Sequence, residues 1–386
     1  MQRRQFVRHA GQAAALAATT PLFIGQARSN EAPGVGARAI SIGCSAPLSG
    51  PLVDFGKDIQ TGAGAAFAEA NARGGVHGRS VQLNVIDDAY TPDRSVVNVR
   101  KFIDDASVLA LLSCVGTPNN SETLPLVEDA GLPVVAPITG AASLRRNWRN
   151  VFHVRASYSD EMQRLVNRLV DMGLRGIGVV YLDNGYGREM LDVATKALAA
   201  RGVQPAVQTA LATDGKNLPQ VLAAVAKARP AAVLLATAGT VSVDLVHGLK
   251  KDSPGVLMAG LSVSLPSSSL AGLGEDARGL ALTMVVPDPV STKVAVVRDY
   301  QAAMRASGFK QLTQGSLEAY INARILLAGL ERAGKDVTQA RLRAALAGIR
   351  DLDLGGFKVS FGGQPPFVGS RYVDLGVLGA AGRFIG

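Results

Sequence analysis

The stretch that most constrains the fold runs from Leu109 to Ser121, where a short apolar run turns directly into the start of a helix. Gly116 breaks the apolar pattern, and Thr117-Pro118 is typical of an N-cap followed by proline at the first helical position. A buried strand that leads straight into a helix presents free backbone N–H groups at the carboxyl end of a sheet. Open α/β sheets bind ligands there, and the helix dipole favours anions. The same pattern recurs at 132–143, so the two strand ends predict one binding pocket.

Apolar segments alternate with helical segments along most of the chain, and the pattern restarts near Arg155. This alternation predicts an α/β fold with two lobes, each built on a doubly wound parallel sheet. The tail, 354–384, has the pattern of short antiparallel strands. We predict strands at 39–44, 81–87, 109–113, 132–136, 176–181, 203–209, 231–236, 256–259 and 280–285, and a first helix over about 58–73.

Composition describes a globular protein of two ordinary domains, with 386 residues, 47% hydrophobic and 18% charged. The formal net charge is +9. The basic cluster at 145–149 has two interpretations, a nucleic-acid patch or a solvated loop. Because the run is short, it favours the loop, and we expect no nucleic-acid partner.

The N-terminus has the pattern of an export signal. Arg3-Arg4-Gln5-Phe6-Val7 precedes a mild apolar run at 10–24 and a small-x-small cleavage pattern, Gly25-Gln26-Ala27. The run is too short to span a bilayer of about 30 Å, so residues 1–27 are predicted to be a cleaved signal peptide. The paired arginines resemble a twin-arginine signal, with an ordinary Sec signal as the alternative. Either route predicts a periplasmic protein.

Export to an oxidising compartment bears on the two cysteines, Cys44 and Cys114, which both fall at predicted strand ends. Sequence does not supply the Cβ directions that a disulfide needs. We expect two buried thiols, and a disulfide stays open as the alternative.

Enzyme signatures are incomplete in this sequence. The glycines at 62–67 fall one residue short of a dinucleotide fingerprint and lie inside a predicted helix. Gly260-Leu-Ser262-Val-Ser264 lacks the last glycine of a nucleophile elbow, and a hydrolase using Ser262 would have no identifiable base. The histidines are scattered, so we expect no metal, no cofactor and no catalytic residue.

Hydroxyls and glycines do cluster at predicted strand ends, and together they favour a small polar ligand held by backbone N–H groups. The members of this cluster are Thr117, Thr139-Gly140, Ser157-Tyr158 and Tyr186-Gly187.

Several motifs resemble the leucine/isoleucine/valine-type periplasmic binding proteins, the extracytoplasmic receptors of ABC importers, which have the type I two-lobe fold. In the first half the motifs are Pro47-Leu-Ser-Gly-Pro51, Phe55-Gly56, Asn71-Ala-Arg-Gly-Gly-Val-His-Gly78 and Asp87-Asp88. They continue as Thr139-Gly-Ala141, Leu144-Arg145, Val151-Phe-His-Val-Arg-Ala-Ser-Tyr158 and Asp183-Asn-Gly-Tyr-Gly187. The resemblance covers nearly the whole mature chain.

The resemblance implies a three-strand hinge between two lobes that close on a ligand. Lobe one would comprise 38–156 plus 287–349, and lobe two 157–286 plus 350–386. The crossovers would lie near 155–160, 285–290 and 348–354.

The resemblance also implies which residues bind. A ligand carboxylate would be held by main-chain N–H groups and hydroxyls of lobe one, an aromatic ring of lobe two would pack on the ligand, and another would line the cleft mouth. By motif position these residues are Val115, Gly116 and Thr117, then Thr139, Gly140 and Ala141, and the aromatic residues Tyr186 and Phe55.

Two departures from the family pattern bear on the ligand. Thr237 opens a run where the amino-acid binders place an aromatic residue, and Ser262 lies where they place the acid that pairs with an α-ammonium group. A buried cation without that partner would cost several kcal/mol. We therefore expect a small organic acid or amide without a free α-ammonium group, aromatic acids included. Arg155 has two open roles, a bidentate carboxylate clamp or a structural ion pair at the hinge.

The function expected from these observations is a receptor that delivers a small carboxylate or amide to the permease subunits of an ABC importer. The alternative is an exported sensor that docks on a membrane signalling protein. We expect a monomer in either case.

Overall fold

The computed structural model describes residues 32–50, 52–265, 267–382 and 384–385. The predicted signal peptide, 1–27, lies outside this part of the chain. No helix within the described ranges is long and apolar enough to cross a membrane. The described chain is organised around two sheets, one for each lobe.

The first sheet is parallel throughout, with strand order β13-β5-β4-β3-β1-β2. Its strands are β1 (Ala39–Ala46), β2 (Ser80–Asp87), β3 (Ala110–Leu112), β4 (Val134–Val135), β5 (Val151–His153) and β13 (Phe367–Val368). The accompanying helices are α1 (Val53–Ala72), α2 (Pro92–Asp104), α3 (Thr117–Ala130), α9 (Ala295–Ala306), α10 (Gln314–Ala333) and α11 (Gln339–Ala347).

The second sheet has the order β15-β14-β10-β9-β8-β6-β7. Its strands are β6 (Ile177–Leu182), β7 (Val207–Leu211), β8 (Ala232–Ala236), β9 (Leu257–Gly260), β10 (Ala281–Met284), β14 (Asp374–Leu378) and β15 (Phe384–Ile385). The first five are parallel, and the last two are antiparallel. The helices of this lobe are α4 (Tyr158–Asp171), α5 (Gly185–Ala199), α6 (Leu218–Ala228), α7 (Thr240–Asp252) and α8 (Ser267–Gly272). The predicted two-lobe α/β fold is confirmed.

The small residues of α1 allow close helix packing. A Cβ at Gly62 would lie only 1.9 Å from the carbonyl oxygen of Ser316, where α1 crosses α10. Of the two glycines at 62–67, Gly62 therefore brings two helices together, whereas a Cβ at Gly64 would meet nothing within 4 Å. They do not form a nucleotide-binding turn.

The helix α1 begins at Val53, five residues earlier than the sequence pattern predicted. Gly56, which precedes the predicted helix start, lies inside the helix. A Cβ there would come within 2.1 Å of the carbonyl oxygen of Pro47, so the glycine serves a close backbone approach. The earlier start places Phe55 on the first turn of α1, at the end of the helix that faces the second lobe.

The C-terminal tail departs most from the prediction. The hairpin of β11 (Leu352–Asp353) and β12 (Lys358–Val359) leads to β13, which pairs in parallel with β5. The assignment of 350–386 as a whole to lobe two is therefore wrong for 352–368. Phe367 stacks on Phe152 with ring centroids 4.6 Å apart, and this non-local contact holds the segment on the first sheet. The last passage between the sheets lies between Val368 and Asp374, not near 348–354.

Both cysteines are free and buried, as expected. The backbone N–H of Ser45 lies 3.5 Å from Cys114 Sγ. Hydrogen bonding with Cys114, together with burial, raises the pKa of the Cys44 thiol. The Cys44 thiol therefore stays protonated, buried beside Cys114.

Candidate functional site

A cavity lies between the lobes, at the carboxyl ends of the parallel strands. Both lobes contribute to its wall, as expected for a cleft at the ends of two α/β sheets. It is lined by Leu52, Phe55, Tyr90, Val115, Gly116, Thr117, Ile138, Tyr158, Tyr186, Ala238 and Val263. We call this space the first cavity.

The end of β3 forms one wall of the first cavity. Val115 bridges in parallel to Ile138 beyond β4, so the two predicted strand ends do meet. Gly116 then adopts φ +101°, a conformation that only glycine takes readily. A Cβ at this position would fall 2.5 Å from the ring of Tyr90. Glycine therefore lets this aromatic ring lie against the start of α3.

Two hydroxyls join the neighbouring strand ends. Thr117 Oγ1 and Thr139 Oγ1 are 2.8 Å apart in a buried hydrogen bond, and Thr139 Oγ1 also accepts from the N–H of Ala141 at 3.2 Å. Thr117 opens α3 and lines the cavity, whereas Thr139 lies behind it. The wall here is polar and positively polarised, because the first N–H groups of α3 have no partners within their own helix.

Aromatic rings form the opposite side of the first cavity. Tyr158 and Tyr186 meet edge to face with ring centroids 5.4 Å apart. Within the described residues, the phenol oxygen of Tyr186 is buried and has no hydrogen-bond partner. Burial raises the pKa of Tyr90, Tyr158 and Tyr186. All three phenols therefore stay protonated and keep a donor for a ligand.

Arg155 lies beside this cavity without lining it. It is 3% exposed, and its Nη2 donates to Ser262 Oγ at 2.5 Å. Its Nε is 3.5 Å from Glu318 Oε1, and its Nη2 is 4.0 Å from Glu161 Oε1. Its guanidinium carbon also lies 5.7 Å from the centroid of the Tyr158 ring. Arg155 therefore lies in a buried ion-pair cluster, and both predicted roles, the structural ion pair at the hinge and the carboxylate clamp, stay predictions.

The electrostatics of this cluster keep Arg155 charged. Burial alone would lower its pKa, but Glu318 and Glu161 outweigh burial and raise the pKa of Arg155. Burial raises the pKa of Glu318, and the neighbouring Arg155 opposes that rise. A single buried cation thus lies between two carboxylates.

A second cavity shares Phe55 with the first. It is lined by Asp54, Phe55, Asp58, Ser262, Leu265, Val285, Gln314, Gly315 and Glu318. Burial raises the pKa of Asp58 to about 7, although the hydrogen bond from Thr313 Oγ1 at 2.6 Å lowers it. We call this space the second cavity.

The sequence places no acid next to Ser262, but the fold brings acids there from other elements. Glu161 of α4 accepts the N–H of Ser262 at 2.9 Å, and it also accepts from the hydroxyl of Thr283. Glu318 of α10 lies on the wall of the second cavity together with Ser262. The inference that the region around Ser262 lacks acids is therefore wrong. Among the residues that line the first cavity, however, none is acidic.

The predicted site residues divide into three groups. Six of the thirteen line the first cavity: Phe55, Val115, Gly116, Thr117, Tyr158 and Tyr186. Ser262 lines the second cavity. The others are not among the lining residues of either cavity: Thr139, Gly140, Ala141, Arg155, Ser157 and Thr237.

Residues of the last group hold the walls in place. Ser157 forms a capping box with Asp160 at the start of α4. Gly140 lets Tyr158 approach, because a Cβ there would fall 2.6 Å from that ring. Thr237 Oγ1 accepts from Ser242 Oγ at 2.8 Å. In this structure Ser157, Gly140 and Thr237 therefore support neighbouring elements of the protein.

Sequence reasoning missed five lining residues of the first cavity: Leu52, Tyr90, Ile138, Ala238 and Val263. Tyr90 lies three residues after the end of β2. The rule that ligands bind at strand ends, which was applied to β3, would have identified Tyr90 if it had also been applied to β2. Ala238 and Val263 follow β8 and β9 in the same way. Leu52 carries no such signal.

Metal chemistry has no support in the described ranges, where no group of three or more His, Cys, Asp or Glu side chains is arranged to hold a metal ion. The site consists of aromatic rings, hydroxyls and backbone N–H groups. Such a site is suited to binding.

Comparison with known proteins matches nearly the whole described chain. A sequence model of a family described as periplasmic binding protein matches residues 39–366. The chain is similar to the Leu/Ile/Val-binding protein BraC3 of Rhizobium johnstonii, with 25% identity over 335 residues that cover 84% of this chain and 87% of that protein.

Solved structures agree with that match. A substrate-binding periplasmic protein from Ralstonia solanacearum has a TM-score of 0.83 and 30% identity, and the likeness covers 90% of this chain and 99% of that one. A solute-binding protein of an ABC transporter from R. palustris, in complex with benzoate, has a TM-score of 0.78 at 19% identity, over 90% and 97% of the two chains. At 19% identity, the similarity to the R. palustris protein shows a shared fold alone.

Proposed function

Since this chain belongs to the periplasmic binding protein family, we propose that it traps a small carboxylate or amide between its lobes and delivers it to an ABC importer. The observation that carries this proposal is the first cavity, which both lobes enclose at their strand ends. The protein would bind and release its ligand without catalysis. Residues 1–27 would direct it to the periplasm.

The lining of the first cavity supports a ligand with one anionic end and one flat apolar end. The start of α3 would receive the carboxylate through its free backbone N–H groups and the hydroxyl of Thr117. Gly116 would shape this wall, because its own N–H donates to the carbonyl of Ile138 at 3.2 Å. The rings of Phe55, Tyr90 and Tyr186 would receive the apolar part. The benzoate bound to the structure from R. palustris has this shape, whereas the name of the Rhizobium relative indicates branched-chain amino acids.

The positions of the acidic residues favour a ligand without a free α-ammonium group. Glu161 and Glu318 both lie beside Arg155, and none of the residues lining the first cavity is acidic. An ammonium group in that cavity would therefore lose its water without gaining a carboxylate, at a cost of several kcal/mol. Arg155 would then hold the second lobe in position through its ion pairs and would not bind the carboxylate of the ligand.

The remaining predicted residues would act through these lining groups. Thr139, Gly140 and Ala141 would hold Thr117 and the turn beside it, and Ser157 and Thr237 would hold elements of the second lobe. Lobe one would comprise the first sheet with its helices, including 352–368, and lobe two the second sheet.

The test is a thermal-shift screen of the mature protein against aliphatic and aromatic carboxylates, amides and amino acids. A ligand at 100 times its dissociation constant stabilises the fold by about 2.7 kcal/mol, a shift of a few degrees at this size. Shifts with carboxylates and none with α-amino acids are expected. Shifts with amino acids alone would keep the receptor and contradict the ligand class, and no shift with any compound would contradict both.

A matched pair of variants tests the placement of the ligand. Thr117→Val removes a hydroxyl from the cavity wall, whereas Thr123→Val removes one from the same helix that bonds only to the carbonyl of Asn119, at 3.0 Å. Thr117→Val should weaken binding of the best carboxylate by about tenfold, the effect of losing one hydrogen bond to a charged group. Thr123→Val should leave the affinity unchanged. Equal losses in both variants would contradict this placement.

A further inference from the structure

The two lobes touch at the rim of the cleft through a single carboxylate. Glu189, on α5 of the second lobe, accepts the N–H of Ala142 at 2.8 Å and the hydroxyl of Ser143 at 2.7 Å. The N–H of Ser143 lies 3.5 Å from the same carboxylate. Ala142 and Ser143 follow β4, a strand of the first sheet, so these hydrogen bonds cross from one lobe to the other.

The position of Glu189 links this contact to the cavity. Glu189 follows Tyr186 by three residues on α5, so the two side chains lie on the same face of the helix. On the other lobe, Ala142 and Ser143 directly follow the turn 139–141, whose Thr139 holds Thr117 in the cavity wall. Each partner in the rim contact is therefore rigidly connected to a wall of the first cavity.

The surroundings of Glu189 suit a contact that can break and re-form. The rim borders an open groove lined by polar residues such as Ser159 and Gln163. Below the rim, α3 contacts α5, and their buried residues Leu124, Val127, Met190 and Ala194 belong to one hydrophobic cluster. Opening the cleft would separate these apolar faces and expose the Glu189 carboxylate to water. Because water solvates a carboxylate well, the contact of Glu189 can break and re-form.

We propose that Glu189 is a positioning residue that latches the closed cleft by binding Ala142 and Ser143, and that it sets how long any ligand is retained without selecting which ligand binds. This inference rests on the proposed function, since it assumes that lobe closure traps the ligand. A group that interacts only in the closed state shifts the open–closed equilibrium, and the apparent affinity changes by the same factor for every ligand.

The size of the effect follows from the exposure of the rim. Partly exposed charged hydrogen bonds are screened by water, so the contact is worth at most about a fivefold change in affinity. The change should appear in the dissociation rate, because the latch forms after the ligand has entered.

The test compares Glu189→Ala with Asp192→Ala, one turn further along α5. Asp192 pairs with Lys196 of its own helix at 2.6 Å, so its loss removes a carboxylate from α5 without touching the first lobe. With benzoate and hexanoate as probes, Glu189→Ala should bind both about fivefold more weakly through faster dissociation, and Asp192→Ala should match the wild type. Glu189→Ala at wild-type affinity, or a change in the ratio of the two affinities, would overturn the latch.

A second measurement separates the latch from the choice of ligand. In protein without any ligand, Glu189→Ala should speed hydrogen exchange at the amides of Ala142 and Ser143, and Asp192→Ala should not. The same comparison is made in protein saturated with whichever compound shifts its melting temperature most, where the closed cleft prevails. Unchanged exchange in Glu189→Ala under that condition would overturn the latch. If neither probe binds to the wild type but exchange responds as expected, the ligand class fails and the latch stands.

Discussion

The guanidinium of Arg155 donates to Ser262 Oγ across the two lobes and joins residues 107 positions apart. Arg155 follows β5 of the first sheet and Ser262 follows β9 of the second. The same guanidinium lies beside Glu161 and Glu318. The buried charges of the hinge therefore form one cluster that both lobes share.

Removing this cation should destabilise the protein. Arg155→Ala would leave two carboxylates buried without their partner, at a cost of about 3 to 5 kcal/mol in the free energy of unfolding, measurable by urea denaturation. Arg146→Ala is the control, because Arg146 is exposed and bonds only to the carbonyl of Ser143 within the same loop. If Arg155→Ala kept wild-type stability and lost carboxylate binding, Arg155 would be a ligand clamp.

The hydroxyl of Tyr186 should contribute to ligand binding but not to the stability of the folded protein. Its phenol oxygen has no hydrogen-bond partner in the described chain, so Tyr186→Phe should leave the free energy of unfolding unchanged or slightly higher. The affinity for a carboxylate should fall, because the free donor lies at the cavity. Tyr300→Phe is the matched comparison, since Tyr300 bonds to Ser316 Oγ at 2.6 Å and should lose about 1 kcal/mol of stability. A large loss of stability in Tyr186→Phe would contradict this assignment.

Asp58 should make stability depend on pH. The pKa of its carboxyl is raised from 3.8 to about 7, mainly by burial, so the folded protein holds a proton that the unfolded chain releases. This contribution is fully present below pH 3.8 and is lost as the pH rises through 7. Asp58→Asn should flatten the pH dependence of unfolding over that window, and Asp104→Asn, at the exposed end of α2, should leave it unchanged. A slope that survives in Asp58→Asn would assign the titration to another group.

Gly116 should be required for the shape of the first cavity. Gly116→Ala would strain a residue at φ +101° and push its Cβ into the ring of Tyr90, so both stability and affinity should fall. Gly131→Ala, at the other end of α3, meets a similar strain at φ +70° but has nothing within 4 Å of its Cβ. Each variant should lose about 1 to 3 kcal/mol of stability, and only Gly116→Ala should weaken ligand binding. Full affinity in Gly116→Ala would remove Tyr90 from the site.

Local patterns predicted the parts of the site that depend on neighbouring residues in the chain. The strand-to-helix step at Val115, Gly116 and Thr117 carries its own signal, because the apolar run, the glycine and Thr117-Pro118 are contiguous. The predicted N-cap is wrong by one residue, since Gly116 is the N-cap and Thr117 begins the helix. The meeting of this step with the one near Thr139 followed from the rule that parallel strands end at one edge of a sheet. The same rule reaches Tyr90, at the end of β2.

The parts that sequence did not predict depend on contacts between distant residues. Glu318 reaches the hinge from α10, which is far from Arg155 in the chain, and its own helix gives no sign of that partner. Phe367 joins the first sheet because it stacks on Phe152, and a two-residue strand has no periodicity from which to infer its partner. Contacts between residues that are distant in the chain therefore determine the features that the local sequence pattern does not predict.

The return of the C-terminal segment to both sheets has a consequence for the cooperativity of folding. Phe367–Val368 forms an edge of the first sheet, and Asp374–Leu378 and Phe384–Ile385 complete the second. Neither lobe is a continuous piece of the chain, so neither sheet is complete without this one segment. A change that detaches it would therefore remove strands from two domains at once.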